Sequence, residues 1–310
     1  MKTKPPSVFL TLLSAAFAAA APVRAELTDE QRKLPLEADS PDPKLAKIVL
    51  LAGSTSNKPG QHEYFAGCAL LAQWLRETPG VWPVLVADGW PKNEAILEGA
   101  KAVVVYADGG AKLPFLEQGR WDRMKRLVEK GTGLVALHQA VDIPEDHTQD
   151  FQQWIGAAWQ KDIGCRGHWD MEFSEFPKHP ALNGVTAFSA PLDGWLYNLH
   201  FASGVKPLLS GVVPEKSRST ADARSHEGRS EVVAWAYERP AGGRSFAFTG
   251  CDLHRNWSVE GQRRFVTNGI LWSANLEVPK DGANVAMLPA AISSNLDAKT
   301  AVAAAPITPK

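Results

Sequence analysis

The chain has 310 residues, 45% of them hydrophobic and 22% charged, with a formal net charge of -1. A chain of that size and composition buries a substantial core in one large domain or two small ones, which excludes a fibrous or globally disordered protein. The near-neutral balance also argues against nucleic acid as the main partner.

Residues 1–25 read as an export signal. Lys2 and Lys4 form a basic start, Val8 to Ala21 is mostly apolar, and Val23-Arg24-Ala25 resembles a small-residue cleavage site. Cleavage after Ala25 is expected, giving a soluble periplasmic or secreted protein. No Cys follows the apolar run to take a lipid, and no later segment is long and apolar enough for a membrane helix, so no membrane partner is expected after cleavage. Residues 26–46 are polar and Pro-punctuated, an N-terminal arm. A core domain is expected over 47–279. Residues 280–310, rich in Ala, Pro, Ser and Thr without amphipathic period, are expected to form a disordered tail.

The first half of the core alternates apolar runs with helical patterns. Strands are predicted over 47–53, 81–89, 102–110 and 133–138, each apolar enough to be buried on both faces of a parallel sheet. Between them, Cys68, Leu71, Ala72 and Leu75 recur at helical spacing, as do Trp121, Met124 and Val128. The order strand, helix, strand, helix predicts an α/β doubly wound, mostly parallel sheet. The second half predicts strands over 168–173, 195–202, 207–213, 232–237 and 244–249, some forming a β-rich extension, then a helix near 260–274. Residues 214–231, with four acids and four bases and no apolar period, predict a solvated loop. Three cysteines, Cys68, Cys165 and Cys251, match no zinc spacing and read as buried free thiols, with Cys251 left open because it lies beside candidate site residues.

Ligands in an open parallel sheet bind outside the carboxyl ends of the strands. There the first strand is followed by a small polar loop delivering His62 and Glu63, the fourth by His138, and the last by "GCDLHRNW" with Asp252 and His254. All eight histidines lie between residues 62 and 254. Imidazole serves as acid, base or metal ligand near neutral pH. His147, His179 and His226 are assigned structural roles from their polar or turn-like surroundings. No linear metal motif, phosphate-cradling glycine loop or GxSxG elbow is present. Of the tryptophans in or beside polar stretches, Trp169 and Trp257, each near a candidate histidine, are the choices for stacking on a sugar.

The stretches "NKPGQHEYFAGCALLA", "GLVALHQAV", "GHWDMEF", "HPALNGV", "DGWLYNLHF", "GGRSFAFTG" and "HRNW" with "RRFVTNGILWSANLEVP" resemble, in that order, the ThuA-like domain named for trehalose utilisation, within the class I glutamine amidotransferase-like fold. The resemblance implies a flavodoxin-like sheet and a small carbohydrate ligand, a glycoside or a keto-sugar. Glutamine amidotransferases carry a cysteine nucleophile at the elbow where this chain has His138, so glutaminase chemistry is not expected. Many relatives have an acid where this chain has Gly194, and a histidine near Asp252; the resemblance implies that any role of those groups is lost or has passed to Asp193 and Asp252.

The leading expectation is a carbohydrate hydrolase or isomerase with His138, His254 and Glu63 as catalytic groups. His62, His168, Trp169, Asp193, Tyr197, Asp252, Arg255 and Trp257 are the expected ligand contacts. A variant places a divalent metal, zinc by preference, among His62, His138, His168 and Asp252 or His254. The alternative is a non-catalytic sugar-binding or scaffold module. A homo-oligomer stays open.

Overall fold

The computed structural model describes residues 33–117, 119–287, 290–294, 296, 297 and 299. The expected signal peptide, the start of the arm and residues 300–310 lie outside the described residues. In chain order the elements are β1 (Ala46–Ala52), α1 (Tyr64–Arg76), β2 (Val81–Val86), β3 (Ala102–Tyr106), α2 (Arg120–Glu129), β4 (Gly133–Leu137), α3 (Thr148–Ile155), β5 (Ala157–Ala158), β6 (Cys165–Phe173), β7 (Phe188–Tyr197), β8 (His200–Phe201), β9 (Val205–Gly211), α4 (Ala221–Arg224), β10 (Glu231–Glu238), β11 (Arg244–Phe248), α5 (Glu260–Ser273) and α6 (Ala290–Ser294).

Seven strands make one sheet in the order β2-β1-β3-β4-β11-β10-β9. The first five run parallel, and β10 and β9 pair antiparallel at the far edge. This is a flavodoxin-like α/β sheet, with the chain reversing direction across the sheet between β1 and β3. Every residue of β1 is buried because alternate side chains serve opposite layers. Ile48, Leu50 and Ala52 join the α1 and α5 side, whereas Val49 and Leu51 pack with Val84, Val103 and the apolar faces of α2 and α3.

Close approach of α5 to the sheet depends on Gly269, since a Cβ there would lie 2.6 Å from the Phe246 ring. Alanine in this helix would therefore gain helix propensity and lose packing.

The β-rich extension is an antiparallel hairpin, β6 with β7, separate from the main sheet, plus the short β5–β8 pair. Residues 214–231 are less open than their composition suggests. They contain α4, and Arg218, only 3% exposed, pairs with the buried Glu231 and with Glu215 at 2.9 Å. Charge pairing hides these residues from a reading based on apolar period. The segment after Lys280, expected to be disordered, buries Ala283, Val285 and Asp297 against the core. All three cysteines are buried free thiols. His179 is structural, accepting a hydrogen bond from Ala181 N at 3.1 Å in a 3-10 turn. Among the described residues, no helix is long and apolar enough to cross a membrane.

Candidate functional site

Four loops at the carboxyl edge of the sheet converge on one buried cluster. His62 comes from the loop after β1, Asp108 from the end of β3, His138 from the end of β4 and Asp252 from the turn after β11. His62, His138 and Cys251 all have positive φ, at 50°, 56° and 75°. Side chains other than glycine rarely adopt that region unless surrounding contacts hold them there, and such residues gather at functional sites.

The hydrogen bonds fix the histidine tautomers. His62 Nδ1 donates to Asp108 Oδ1 at 2.8 Å, and His138 Nδ1 donates to the carbonyl of Thr249 at 3.0 Å. Each Nε2 is then left with a lone pair, and the two Nε2 atoms face each other at 3.2 Å. Asp252 Oδ1 lies 3.1 Å from His62 Nε2 and 3.7 Å from His138 Nε2. It is buried and makes no aligned hydrogen bond. Asn57 Nδ2 lies 3.0 Å from His62 Nε2 and 3.3 Å from Nδ1.

Three donor atoms at these spacings fit one small cation. Ligands at zinc distances in a tetrahedron stand about 3.3 Å apart. His62, His138 and Asp252 also form the group among the described residues whose ligand atoms lie within metal-binding reach of one another. The surroundings are those that orient metal ligands, with a carboxylate behind one histidine and a backbone carbonyl behind the other. Asp108 Oδ1 additionally accepts from Tyr64 at 2.6 Å and Ser56 at 2.8 Å, and Lys112 meets Oδ2 at 3.0 Å.

Burial alone would raise the Asp108 carboxyl, but the hydrogen bonds from His62, Tyr64, Ser56 and Lys112 outweigh it and hold the group well below the usual carboxylate range. Asp252 is likewise held down to about 2, because His62, His138 and His168 outweigh its burial. For His62, burial opposes charge, yet Asp108 and Asp252 together raise its pKa. His138 is pushed down to about 4, chiefly by burial. The two carboxylates thus favour the charged form of His62.

The β6–β7 hairpin supplies the outer wall. His168 Nε2 bonds Asp252 Oδ2 at 2.6 Å, with its side chain 55% exposed. Gly194 is its cross-strand partner, and a Cβ at Gly194 would lie 2.8 Å from both Cβ and Oδ2 of Asp252. The Asp252 carboxylate thus occupies the space that a side chain at 194 would need. Asp193, fully buried and pushed up to about 6 mainly by that burial, accepts from the amides of Cys251 at 2.9 Å, Asp252 at 2.9 Å and Leu253 at 3.1 Å. It clamps the turn that aims Asp252. Beside His168 opens a cavity of about 540 Å³, lined also by Gln61, Leu192, Leu253, His254 and Arg255. The cluster lies one layer behind it.

The structure therefore brings together His62, His138, His168 and Asp252, and places Arg255 at the cavity. Other expected residues lie outside the cluster. Glu63 is fully buried and accepts from Gly60 N at 2.6 Å, turned away from the cluster. His254 is buried in the cavity wall and has no bond to the cluster. Trp257 is fully buried against Trp74 and Tyr106. Tyr197 is buried with its hydroxyl 2.7 Å from Ser217 Oγ. Trp169 packs edge-on against Tyr197, because neighbouring residues on a strand point to opposite faces and His168 takes the site side. Asp108, which sequence reasoning missed, lies near the end of the third predicted strand and just past the observed one, which stops at Tyr106; the strand-end rule applied there would have found it.

The sequence profile described as ThuA, trehalose utilisation, matches residues 49–273. The chain belongs to the ThuA family. Its structure is similar to that of a ThuA-like protein from Bacteroides uniformis ATCC 8492, at 13% identity and a TM-score of 0.55, covering 76% of this chain and 94% of that one. It is also similar to a ThuA-like protein from Parabacteroides merdae ATCC 43184, at 16% identity and a TM-score of 0.53, covering 78% and 96%. No curated protein shows significant sequence similarity to it.

Two outcomes are expected of this ThuA domain. His138, His179 and His254, all lowered from 6.5 to about 4 chiefly by burial, are neutral at pH 7. Protonating them costs stability as pH falls from 6.5 through 4, while Asp193 and Asp297, raised to about 6 and about 7, lose stability as pH rises instead. The opposed signs make individual rings the better readout: NMR of histidine-labelled, metal-free protein should show three rings titrating near pH 4. Gly194→Ala should destabilise the domain by roughly 1–3 kcal/mol in chemical denaturation. The loss should shrink in an Asp252→Ala background, where the clashing atoms are gone.

Proposed function

We propose that this ThuA protein is an exported, metal-dependent enzyme acting on a glycoside or keto-sugar, with one divalent ion, zinc by preference, held by His62, His138 and Asp252. The observation that carries the reading is the convergence of two imidazole lone pairs and an unpartnered carboxylate oxygen in one buried volume. Such a set is unfavourable unless a proton or a cation lies within it. Three protein ligands leave a further position open, which is the arrangement of catalytic rather than structural zinc sites.

An ion there supplies Lewis acidity toward a sugar carbonyl or hydroxyl oxygen. The protein's own part is to hold and to move protons. Asp108 and Thr249 accept from the two Nδ1 atoms and so aim both Nε2 atoms inward. His168, exposed at the cavity edge and bonded to Asp252 Oδ2, is the group placed to exchange a proton with a sugar hydroxyl or C–H. His168 and Gln61, whose Nε2 is 3.4 Å from Asp252 Oδ2, stand between cluster and cavity. A substrate therefore reaches the cluster when His168 leaves Asp252.

Support for a carbohydrate comes from the family's description and from a cavity with both polar and apolar walls. Export rests on the leader-like residues 1–25. The alternative of a non-catalytic sugar-binding module loses part of its motivation, since Trp257, one of the two tryptophans expected to stack on a sugar, is 0% exposed. In a screen of glycosides and keto-sugars with tag-free mature protein, the zinc-loaded form should turn over at least one substrate class. Chelated protein and His138→Ala should lose roughly 100-fold or more of that rate while remaining folded. Turnover that chelation leaves untouched would refute the metal-dependent reading, and saturable sugar binding without turnover would favour the binding module.

A further inference from the structure

The helix behind the cluster lacks a cap from its own sequence. Glu63 sits at the N-cap of α1 but makes no side-chain bond to the helix's first turn. The amides of Phe65 and Ala66 instead donate to Asp297, at 3.1 Å and 2.7 Å, so the cap comes from the far end of the chain. Asp297 N donates in return to Glu63 Oε2 at 2.7 Å. The ammonium of Lys299 lies 3.4 Å from Glu63 Oε1 and donates to the carbonyls of Ser56 at 2.8 Å, Lys58 at 3.3 Å and Gln61. These carbonyls belong to the loop that carries His62.

All three ionisable groups are buried: Asp297 is 6% exposed, and the side chains of Glu63 and Lys299 are 0% and 4% exposed. Buried charges are weak contributors to stability compared with apolar packing. Their geometric effect is larger, because the backbone they grip ends in a residue at positive φ, His62, whose ring must present Nε2 to the cluster.

We propose that Asp297 and Lys299 are positioning residues for the cluster, holding the loop so that His62 Nε2 meets His138 and Asp252. The proposal rests on the metal-centre reading for its functional meaning, and its geometric content stands without a metal. The C-terminal segment then belongs to the site although none of its side chains reaches the ligand atoms.

The test compares wild type, Asp297→Ala, Lys299→Ala and Lys299→Arg in the mature chain. The readouts are Zn(II) affinity by chelator competition, the visible spectrum of Co(II)-substituted protein, and the melting temperature of the chelated form. Both alanine variants should bind zinc about 10–100-fold more weakly and shift the Co(II) bands. Lys299→Arg should recover most of the affinity, and Asp297→Ala should also melt roughly 2–5 °C lower. If Asp297→Ala fails to fold, the two Lys299 variants decide. Unchanged affinity and spectrum in a folded Lys299→Ala would overturn the proposal, leaving the segment a cap for stability alone. Should wild type bind no metal, the preceding reading fails separately, and the His62 ring resonance in histidine-labelled protein decides positioning: displaced in the alanine variants supports it, unmoved contradicts it.

Discussion

Two buried imidazoles with their lone pairs directed at each other, and at the oxygen of a buried aspartate, are the constraint around which this site is organised. In an apolar interior such a set is unfavourable unless a proton or a cation lies within it. The protein enforces the set. Asp108 binds the outer nitrogen of His62 at 2.8 Å and the Thr249 carbonyl that of His138 at 3.0 Å, so neither ring is free to turn a protonated edge inward. Asp193 locks the turn that delivers the carboxylate, and Gly194 leaves room for it.

The fold makes this possible because β1, β3, β4 and β11 are parallel neighbours, so their carboxyl ends open on one edge. Buried strands fix their own positions through two apolar layers. The loops that follow carry the backbone strain, with His62 and His138 both at positive φ. Strain of that kind persists only when neighbouring contacts exceed it, and the neighbours here include residues from the hairpin and from the C-terminal segment.

Much of this was legible in the sequence, for physical reasons. Apolar runs such as "KIVLLAG" and "AVVVYADGG" mark strands buried on both faces, and the strand-end rule led to His62, His138 and Asp252 without any knowledge of contacts. Asp108 was not singled out, because an acid followed by two glycines reads equally well as a turn. The same rule also selected Glu63 and His254, but neighbours in a loop or short turn point in different directions, and neither side chain bonds to the cluster. Trp257 shows a related failure, since the polar residues around it say nothing about the depth of its own ring, which is 0% exposed. Asp297 could not be seen at all, because its segment has a loop-like composition and its burial depends on an uncapped helix more than 200 residues away.

The central claim is that a cation, rather than only a proton, completes the cluster. It is tested most directly by crystals of zinc-loaded protein measured on both sides of the zinc absorption edge. The account predicts one anomalous peak within about 2.0–2.2 Å of His62 Nε2, His138 Nε2 and an oxygen of Asp252. No peak there, with His62 protonated and bonded to Asp252 at full zinc concentration, would contradict it.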